Sequence, residues 1–395
     1  MTTLTREPET PTIQEPPFGV NEMRLDARQW VAVAAIVLGF MFLAPRLWKR
    51  VERFEPGPDY RIPYALSSDY WLYQRRIDSL SDPSVVPVLG DSVVWGEYVR
   101  PEGTLSHFLA AESSASGGRT RFANCGVNGV FPLAMEGLID HYAGSLRDRK
   151  VIVQCNVLWM SSPKADLSAP EEETFNHPEL VPQGFGKVPC YRADAATRLG
   201  YVAHRNLGFF AWVSHVDDVS FDQMSLPKWT LQQDDRDPPG TPNAWTNPLR
   251  RLTAAVPGEP ANDPQRGPRS PRHRPWNARG TKPQHFEWVN PAKSLQWQAF
   301  QRTVRLLRDR GNDVMVILGP FNEHMVAEDQ QPQYRGIRDS IAAWLTDNRI
   351  AHVMPDTLPS EEYADASHPL TQGYDDLAKR LLNDPAFATW LNTAR

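Results

Sequence analysis

Five short segments of this chain contain apolar residues at adjacent positions rather than in alternation with polar ones, and amphipathic segments separate them. They read SVVPVLG, RTRFANCG, KVIVQCNVLW, DVMVILGPFNE and IAHVMP. A strand with one face in water alternates apolar and polar residues, so strands of this kind are covered on both faces. Helices on both sides of a parallel sheet provide that cover. The sequence therefore predicts the α/β class, with three α/β/α layers around a five-stranded parallel sheet.

An uncharged segment from Trp30 to Ala44 precedes this alternation, and with its flanks it covers residues 28–48. Its length is close to the ~20 residues that a bilayer-spanning helix needs. Trp30 and Trp48 stand at its two ends, where interfacial aromatic residues occur. A buried soluble helix rarely lacks a polar face over this length, and no small-x-small cleavage site follows. We predict a single, uncleaved transmembrane anchor.

The rest of the chain divides by composition. The polar, Pro-rich residues 1–27 are predicted to be a disordered tail, and residues 49–82 an aromatic and charged connector. Residues 83–395 form the main domain, which carries an insertion at about 161–293, too long for a plain loop. The insertion contains one apolar helix pattern, LGYVAHRNLGFFAWV, and then a Pro-rich stretch, 231–291, predicted to be irregular or disordered.

Composition argues against several function classes. A net charge of −5 over 395 residues gives no general case for nucleic-acid binding. The three cysteines argue against a disulfide scaffold, and no grouping of His, Cys and carboxylates has metal-ligand spacing. We predict no metal and no cofactor. The basic run RGPRSPRHR is interpreted as a solvated loop rather than a site for an anionic polymer or lipid headgroups. The oligomeric state is left open.

Polar residues follow each predicted strand. In open parallel sheets, ligands bind beyond the carboxyl ends of the strands, so these residues are the candidates for chemistry. In strand order they are Ser92 in GDS, Gly129 in NCGVNG, Asn156 in QCN, Asn322 and Glu323 in GPFNEH, and Asp365 and His368 in DASHP.

This series resembles the SGNH, or GDSL-type, esterase and lipase superfamily, whose four blocks supply Ser, Gly, Asn and His in chain order. The resemblance covers residues 83–156 and 296–385. GDS fits the first block with Val93 in place of the usual Leu, GVNG fits the second, and DASHPLTQGYDDLAKRL fits the last. The third block departs from the pattern, because Gln154-Cys155-Asn156-Val157 keeps only the Asn of Gly-x-Asn-Asp.

The resemblance implies a flavodoxin-like SGNH hydrolase fold and a serine-dependent site. A serine hydroxyl needs a base within hydrogen-bond reach, which makes Ser92 the nucleophile and His368 the base. Asp365 is then the carboxylate that orients the imidazole. The expected oxyanion donors are the backbone N–H groups of Ser92 and Gly129 and the side-chain amide of Asn156.

Asn322 and Glu323 follow the fourth strand, where a pocket wall is expected. Their side chains either contact substrate or form hydrogen bonds within the loop, and we predict substrate binding for both. Asp91 is interpreted as a capping residue of the turn or of the helix that follows.

The expected function is a membrane-anchored serine esterase that works through a Ser92 acyl-enzyme. Its expected substrates carry O-acyl groups, such as acetyl, on cell-envelope carbohydrate or lipid. An O-acyltransferase of a surface polysaccharide shares the first half of the reaction and remains an alternative. A catalytically inactive carbohydrate-binding scaffold is a second alternative, and the altered third block favours it.

Two indications of membrane orientation conflict. Two arginines precede the anchor, whereas four basic residues follow it between Arg46 and Arg53, and the positive-inside rule would place the main domain in the cytoplasm. The resemblance to secreted esterases favours the extracytoplasmic side, either periplasm or cell surface. We adopt the second prediction.

Overall fold

The computed structural model describes residues 25–220 and 274–393. Contacts divide the chain into two compact units, Met1–Leu47 and Trp48–Arg395. Nearly all of the predicted tail, and most of the Pro-rich stretch with its basic run, lie outside the described residues. The second unit contains the predicted connector together with the main domain.

The predicted anchor lies in helix α1, Ala27–Val51. Within the described ranges it is the one helix long and apolar enough to cross a membrane, and its mean hydropathy is 2.0 over an 18-residue window. The side chains of Trp30, Ile36 and Phe40 are more than half exposed. By length and composition, this helix is suited to spanning a bilayer.

Five strands of the described chain form one parallel sheet in the order β2-β1-β3-β4-β5. They are β1 Val85–Gly90, β2 Arg121–Gly126, β3 Lys150–Cys155, β4 Asp313–Leu318 and β5 Ala351–Val353. The interior residues of β1 to β4 are buried, as strands covered on both faces require. The predicted α/β class and parallel sheet are confirmed, and the strand order is that of flavodoxin-like sheets.

Proline is rare in central strands because it donates no hydrogen bond to a neighbour, yet Pro87 lies in the middle of β1. Pro87 is opposite Ala123 in β2, and the pairing of β1 with β3 covers Val88 and Leu89. The missing amide hydrogen therefore falls before the β1–β3 ladder begins.

Helices join and cover the strands. They are α2 Tyr70–Asp78, α3 Ser92–Trp95, α4 Leu105–Ala115, α5 Pro132–Tyr142, α6 Ala195–Asn206, α7 Gly208–Ser220, α8 Leu295–Asp309, α9 Gln331–Asp347, α10 Thr371–Asn383 and α11 Pro385–Asn392. Helix α4 packs against α10, and α5 packs against α8. Parallel crossovers are right-handed, and the strand order reverses at β1, so these two pairs cover opposite faces of the sheet.

Two helical details differ from the sequence prediction. The apolar pattern of the insertion forms two helices, α6 and α7, which are separated at Leu207. The predicted closing helix, α10, is followed by α11, because Asp384 accepts hydrogen bonds from the N–H groups of Ala386 and Phe387 and Pro385 begins a new helix.

A buried charge cluster joins α2 and α7 to the residue that follows α1. His215 of α7 lies 2.6 Å from Asp69 Oδ2 through Nδ1 and 2.6 Å from Glu52 Oε1 through Nε2. Arg75 of α2 pairs with the same Glu52. Burial by itself would lower the pKa of His215, but hydrogen bonds to Asp69 and Glu52 outweigh it and raise the pKa to about 9. His215 is therefore a cation at neutral pH, and two cations balance two carboxylates.

The raised pKa of His215 predicts a pH-dependent stability. A group whose pKa is higher in the folded state stabilises it fully below the unfolded-state pKa and loses that contribution as pH rises through the folded-state pKa. We expect the free energy of unfolding of the full chain in detergent micelles to fall by about 3 kcal/mol as the pH rises from near 6.5 past 9, at ~1.4 kcal/mol for each pKa unit. Urea denaturation at a series of pH values measures this decline.

Two variants provide the comparison. His215→Gln should be less stable at pH 7 and should lose the decline, because it leaves two buried carboxylates without their shared cation. His107 is a partly exposed histidine that pairs with Asp59 at 2.9 Å, and His107→Gln should retain the decline. An unchanged pH dependence in His215→Gln would contradict the assignment.

Candidate active site

Ser92 lies at the carboxyl end of β1, the strand at which the sheet order reverses, and it is the first residue of α3. A Cβ atom at Gly90 would lie 2.3 Å from Val94 Cγ2, so glycine is what allows α3 to fold back over the strand end. Asp91 is the N-cap of α3 and accepts a 2.8 Å hydrogen bond from the Val93 N–H. The capping role predicted for Asp91 is confirmed.

The three residues predicted as catalytic meet in one hydrogen-bonded series, although 276 residues separate Ser92 from His368. Ser92 Oγ lies 2.8 Å from His368 Nε2. His368 Nδ1 lies 2.8 Å and 2.9 Å from the two Asp365 carboxylate oxygens. Because a carboxylate only accepts, this network assigns the imidazole hydrogen to Nδ1 and leaves Nε2 free to accept from the serine hydroxyl.

Asp365 also shapes the loop that carries His368. Its Oδ1 accepts hydrogen bonds of 3.0 Å from the N–H groups of both Ser367 and His368. One carboxylate therefore closes the local turn and orients the imidazole, which explains why a spacing of three residues is sufficient.

The charges of this pair shift both pKa values. Burial alone would raise the pKa of Asp365, but His368 and the two N–H donors reverse this and hold the pKa well below its usual range. Burial would lower the pKa of His368, and the Asp365 carboxylate outweighs it and raises the pKa above its ordinary value of 6.5. Asp365 is thus a stable anion that stabilises the imidazolium.

The site is partly accessible to solvent. Ser92 is partly buried, and 12% of the His368 side chain is exposed. The ring of Tyr98 meets the His368 ring edge-on, with centroids 5.2 Å apart. Helix α10 supports the nucleophile from behind, because the Tyr374 hydroxyl donates a 2.6 Å hydrogen bond to the Val93 carbonyl. Sequence reasoning did not assign roles to either tyrosine.

Asn156, the predicted oxyanion donor, directly follows β3. Its Oδ1 accepts from the Leu158 N–H at 3.0 Å, and its Nδ2 donates to Asp91 Oδ2 at 3.1 Å. Trp159 Nε1 donates to the same Asp91 oxygen at 2.9 Å. These contacts hold the carboxamide beside the nucleophile turn with its nitrogen toward Asp91. A carboxamide nitrogen carries two hydrogens, and the oxyanion prediction requires the second one.

Gly129, the second predicted oxyanion donor, lies in the turn after β2. The Val127 N–H donates to the Gly90 carbonyl at 3.1 Å, which places this turn beside the Ser92 turn. Gly129 has φ of +72°, in the left-handed region that favours glycine. A Cβ atom there would lie 2.3 Å from Asn176 Nδ2, so a residue of the insertion occupies the space that a side chain would need.

The side chains of Asn322 and Glu323, the two residues predicted to bind substrate, contact other parts of the fold. Asn322 is fully buried, its Nδ2 donates to the Asp365 carbonyl at 3.0 Å, and its N–H donates to the Ala366 carbonyl at 2.8 Å. The Glu323 carboxylate pairs with Arg338 of α9 at 2.7 Å. Asn322 therefore supports the loop that carries Asp365 and His368, and Glu323 joins two elements of the fold. These contacts correspond to the alternative that the sequence left open, in which both side chains form hydrogen bonds within the protein rather than with substrate.

Both described parts of the insertion contact loops that carry candidate site residues. His177 lies 2.8 Å from the Asn128 carbonyl through Nε2, next to Gly129. At the other end, the Trp276 N–H donates to the Tyr363 carbonyl at 2.9 Å, and Arg279 donates to the Ala364 carbonyl, just before Asp365. The insertion thus supports the Gly129 turn and the His368 loop, and no motif in the sequence indicated these contacts.

The three cysteines are poorly suited to act as nucleophiles. Cys125, Cys155 and Cys190 are buried free thiols. Burial raises the pKa of Cys125 to about 11, and it also raises the pKa values of Cys155 and Cys190. A thiol with a raised pKa forms little of the reactive thiolate at neutral pH. In residues 25–220 and 274–393, no cluster of three or more His, Cys, Asp or Glu residues is arranged to hold a metal ion.

Comparison of the chain with family models and with curated proteins produced no match.

The crowding at Gly129 predicts the effect of adding one methyl group. Gly129→Ala should lower turnover of p-nitrophenyl acetate at least tenfold, because a Cβ atom on a backbone with φ of +72° strains and shifts the turn that carries the predicted oxyanion donor. It should lower the free energy of unfolding by about 1 to 3 kcal/mol through backbone strain. Steady-state kinetics and urea denaturation measure the two effects. Gly117 also has positive φ, but a Cβ atom there would meet nothing within 4 Å, and Gly117→Ala should affect stability alone.

Proposed function

We propose that this protein is a serine esterase of SGNH type that acts through a covalent acyl-enzyme on Ser92. The observation that carries the proposal is the continuous hydrogen-bonded series from Ser92 through His368 to Asp365 at the carboxyl edge of a parallel sheet. A structural role alone does not require a partly exposed hydroxyl held against a base that is itself oriented by a carboxylate.

Acylation follows from this arrangement. Ser92 Oγ attacks the ester carbonyl carbon while His368 Nε2 accepts the hydroxyl proton, and Asp365 stabilises the imidazolium that forms. The tetrahedral intermediate collapses with cleavage of the bond to the alcohol oxygen. His368 returns the proton to that oxygen, so the alcohol leaves neutral and the acyl group remains on Ser92.

The negative charge on the intermediate requires donors that are already in position. The Ser92 N–H is at the first position of α3, where no acceptor lies within the same helix. The Gly129 N–H and the Asn156 amide belong to the two neighbouring strand ends. Each such donor lowers the barrier by roughly 3 kcal/mol in acyl-transfer enzymes.

Deacylation reverses these roles. His368 takes a proton from an incoming hydroxyl, whose oxygen attacks the acyl-enzyme carbonyl, and Ser92 leaves with the proton returned by His368. Water as the attacking molecule gives hydrolysis, and a sugar hydroxyl would give acyl transfer. The proposed substrates are O-acyl esters of cell-envelope carbohydrate or lipid, because α1 would hold the enzyme near a membrane. We assign the catalytic unit to the extracytoplasmic side.

Covalent labelling tests the nucleophile directly. A fluorophosphonate probe should label the full chain in detergent, and both Ser92→Ala and His368→Ala should lose labelling. Turnover of p-nitrophenyl acetate should fall by about 10⁴-fold or more in each, since members of a triad act as one unit. Ser367→Ala is the matched control, because this buried serine adjoins His368 in the same loop, and labelling should be retained.

The other outcomes are also informative. Labelling that persists in Ser92→Ala would contradict the proposed nucleophile. A folded wild-type protein that is not labelled would favour the carbohydrate-binding scaffold. Labelling of Ser92 without turnover would point to the acyltransferase, with the natural acceptor hydroxyl missing from the assay.

The raised pKa of His368 predicts the pH profile. Only the neutral imidazole accepts the serine proton, so kcat/KM for p-nitrophenyl acetate should rise with pH and reach a plateau. Its inflection should lie above 6.5, because Asp365 favours the imidazolium. Asp365→Asn should move the inflection below that of wild type and lower the plateau by about 10⁴-fold. Asp313→Asn, which removes a carboxylate paired with Lys150, should change neither.

A further inference from the structure

The insertion presents one exposed polar side chain at the rim of the proposed site. Asn176 is exposed, and its Nδ2 lies where a Cβ atom of Gly129 would otherwise stand. The turn that carries Gly129 adjoins the Ser92 turn through the 3.1 Å hydrogen bond from the Val127 N–H to the Gly90 carbonyl. Asn176 therefore brings a donor and an acceptor to the edge of the predicted oxyanion hole.

The neighbours of Asn176 hold it in this position. His177 is buried, has φ of +58°, and lies 2.8 Å from the Asn128 carbonyl and 3.0 Å from the Tyr70 hydroxyl through its two ring nitrogens. On the other side, the ring of Phe175 packs edge-on against Tyr191, with centroids 5.5 Å apart. A left-handed conformation at a residue other than glycine is uncommon and persists where the surroundings impose it. Two anchored residues thus flank one exposed carboxamide.

A polar pair next to Gly129 connects this turn with the Ser92 turn. The Asn128 amide donates to the Glu97 carboxylate, and the Glu97 N–H donates to the Ser92 carbonyl at 3.1 Å. The rim is therefore lined by carboxamide and carboxylate groups, which suits a neutral ligand that carries hydroxyl groups. A carboxylate at this position disfavours anionic esters by repulsion.

We infer that Asn176 is a specificity-determining residue, whose carboxamide forms a hydrogen bond with a hydroxyl group on the alcohol part of the ester. An acetyl group offers no polar atom besides the reacting carbonyl, so any additional contact must involve the alcohol. The ligand class is a neutral carbohydrate ester rather than a lipid ester. This inference rests on the proposed function, and it extends that function by assigning substrate recognition to the insertion.

Two esters that share an acetyl group test the inference in the full chain. One is a mono-O-acetylated methyl glucoside, and the other is p-nitrophenyl acetate, whose alcohol carries no hydroxyl substituent. Asn176→Ala should lower kcat/KM for the glucoside ester about tenfold, mainly through KM, the loss expected for one neutral hydrogen bond. It should leave kcat/KM for p-nitrophenyl acetate within about twofold of wild type, because the triad is untouched. Asn206→Ala, which removes an exposed asparagine that bonds back to Val202 in its own helix, is the matched control and should alter neither rate.

A binding measurement separates this inference from the proposed esterase activity. Calorimetry with the same acetylated glucoside should show weaker binding to Ser92→Ala/Asn176→Ala than to Ser92→Ala, whether or not the wild type turns over. A wild type without labelling or turnover, combined with weaker binding in the double variant, would overturn the esterase and support Asn176 as a recognition residue. Equal binding by the two proteins, undetectable binding by both, or equal losses on both esters would overturn the role of Asn176.

Discussion

The site depends on the hydrogen bonds that the buried carboxylate of Asp91 accepts. It receives hydrogen bonds from the Val93 N–H, the Asn156 amide and the Trp159 indole. Burial raises the pKa of Asp91, and these donors oppose that rise. A buried carboxylate is stable only when hydrogen-bond donors surround it. The donors to Asp91 come from residues that follow β1 and β3, so this one carboxylate holds the two strand ends together. The position of Ser92 and the orientation of Asn156 follow from the same group.

The histidine loop is constructed by a similar principle. Asp365 accepts two backbone N–H groups and the His368 imidazole, while buried Asn322 donates to the Asp365 carbonyl from behind. Each contact reduces the freedom of His368, whose Nε2 must meet a hydroxyl on a different strand end. The Ser92 turn and the His368 loop are therefore each ordered by their own hydrogen bonds, and the sheet brings them together.

The insertion contacts two of the loops that carry the candidate site residues. Its first described part contacts the oxyanion turn through Asn176 and His177, and its second part contacts the loop before Asp365 through Trp276 and Arg279. One contact lies at the turn after β2 and the other at the loop after β5. These two loops carry Gly129 and His368, so both described parts of the insertion adjoin residues of the proposed site.

Much of this protein could be predicted from its sequence, because the relevant signals are local. Strands that are apolar throughout predict a parallel sheet, and the carboxyl ends of such strands predict where Ser92, Gly129, Asn156, Asp365 and His368 lie. The capping role of Asp91 also depends only on its neighbours. By contrast, the burial of Asn322 and the pairing of Glu323 with Arg338 were decided by packing, and the division of the insertion helix at Leu207 was not predicted. The sequence alone determined the fold class and the candidate residues, because apolar periodicity and turn chemistry act over a few residues. Only the tertiary structure decided the hydrogen-bond partners and the placement of Asn176 over Gly129, because those contacts join distant segments that share no periodic pattern.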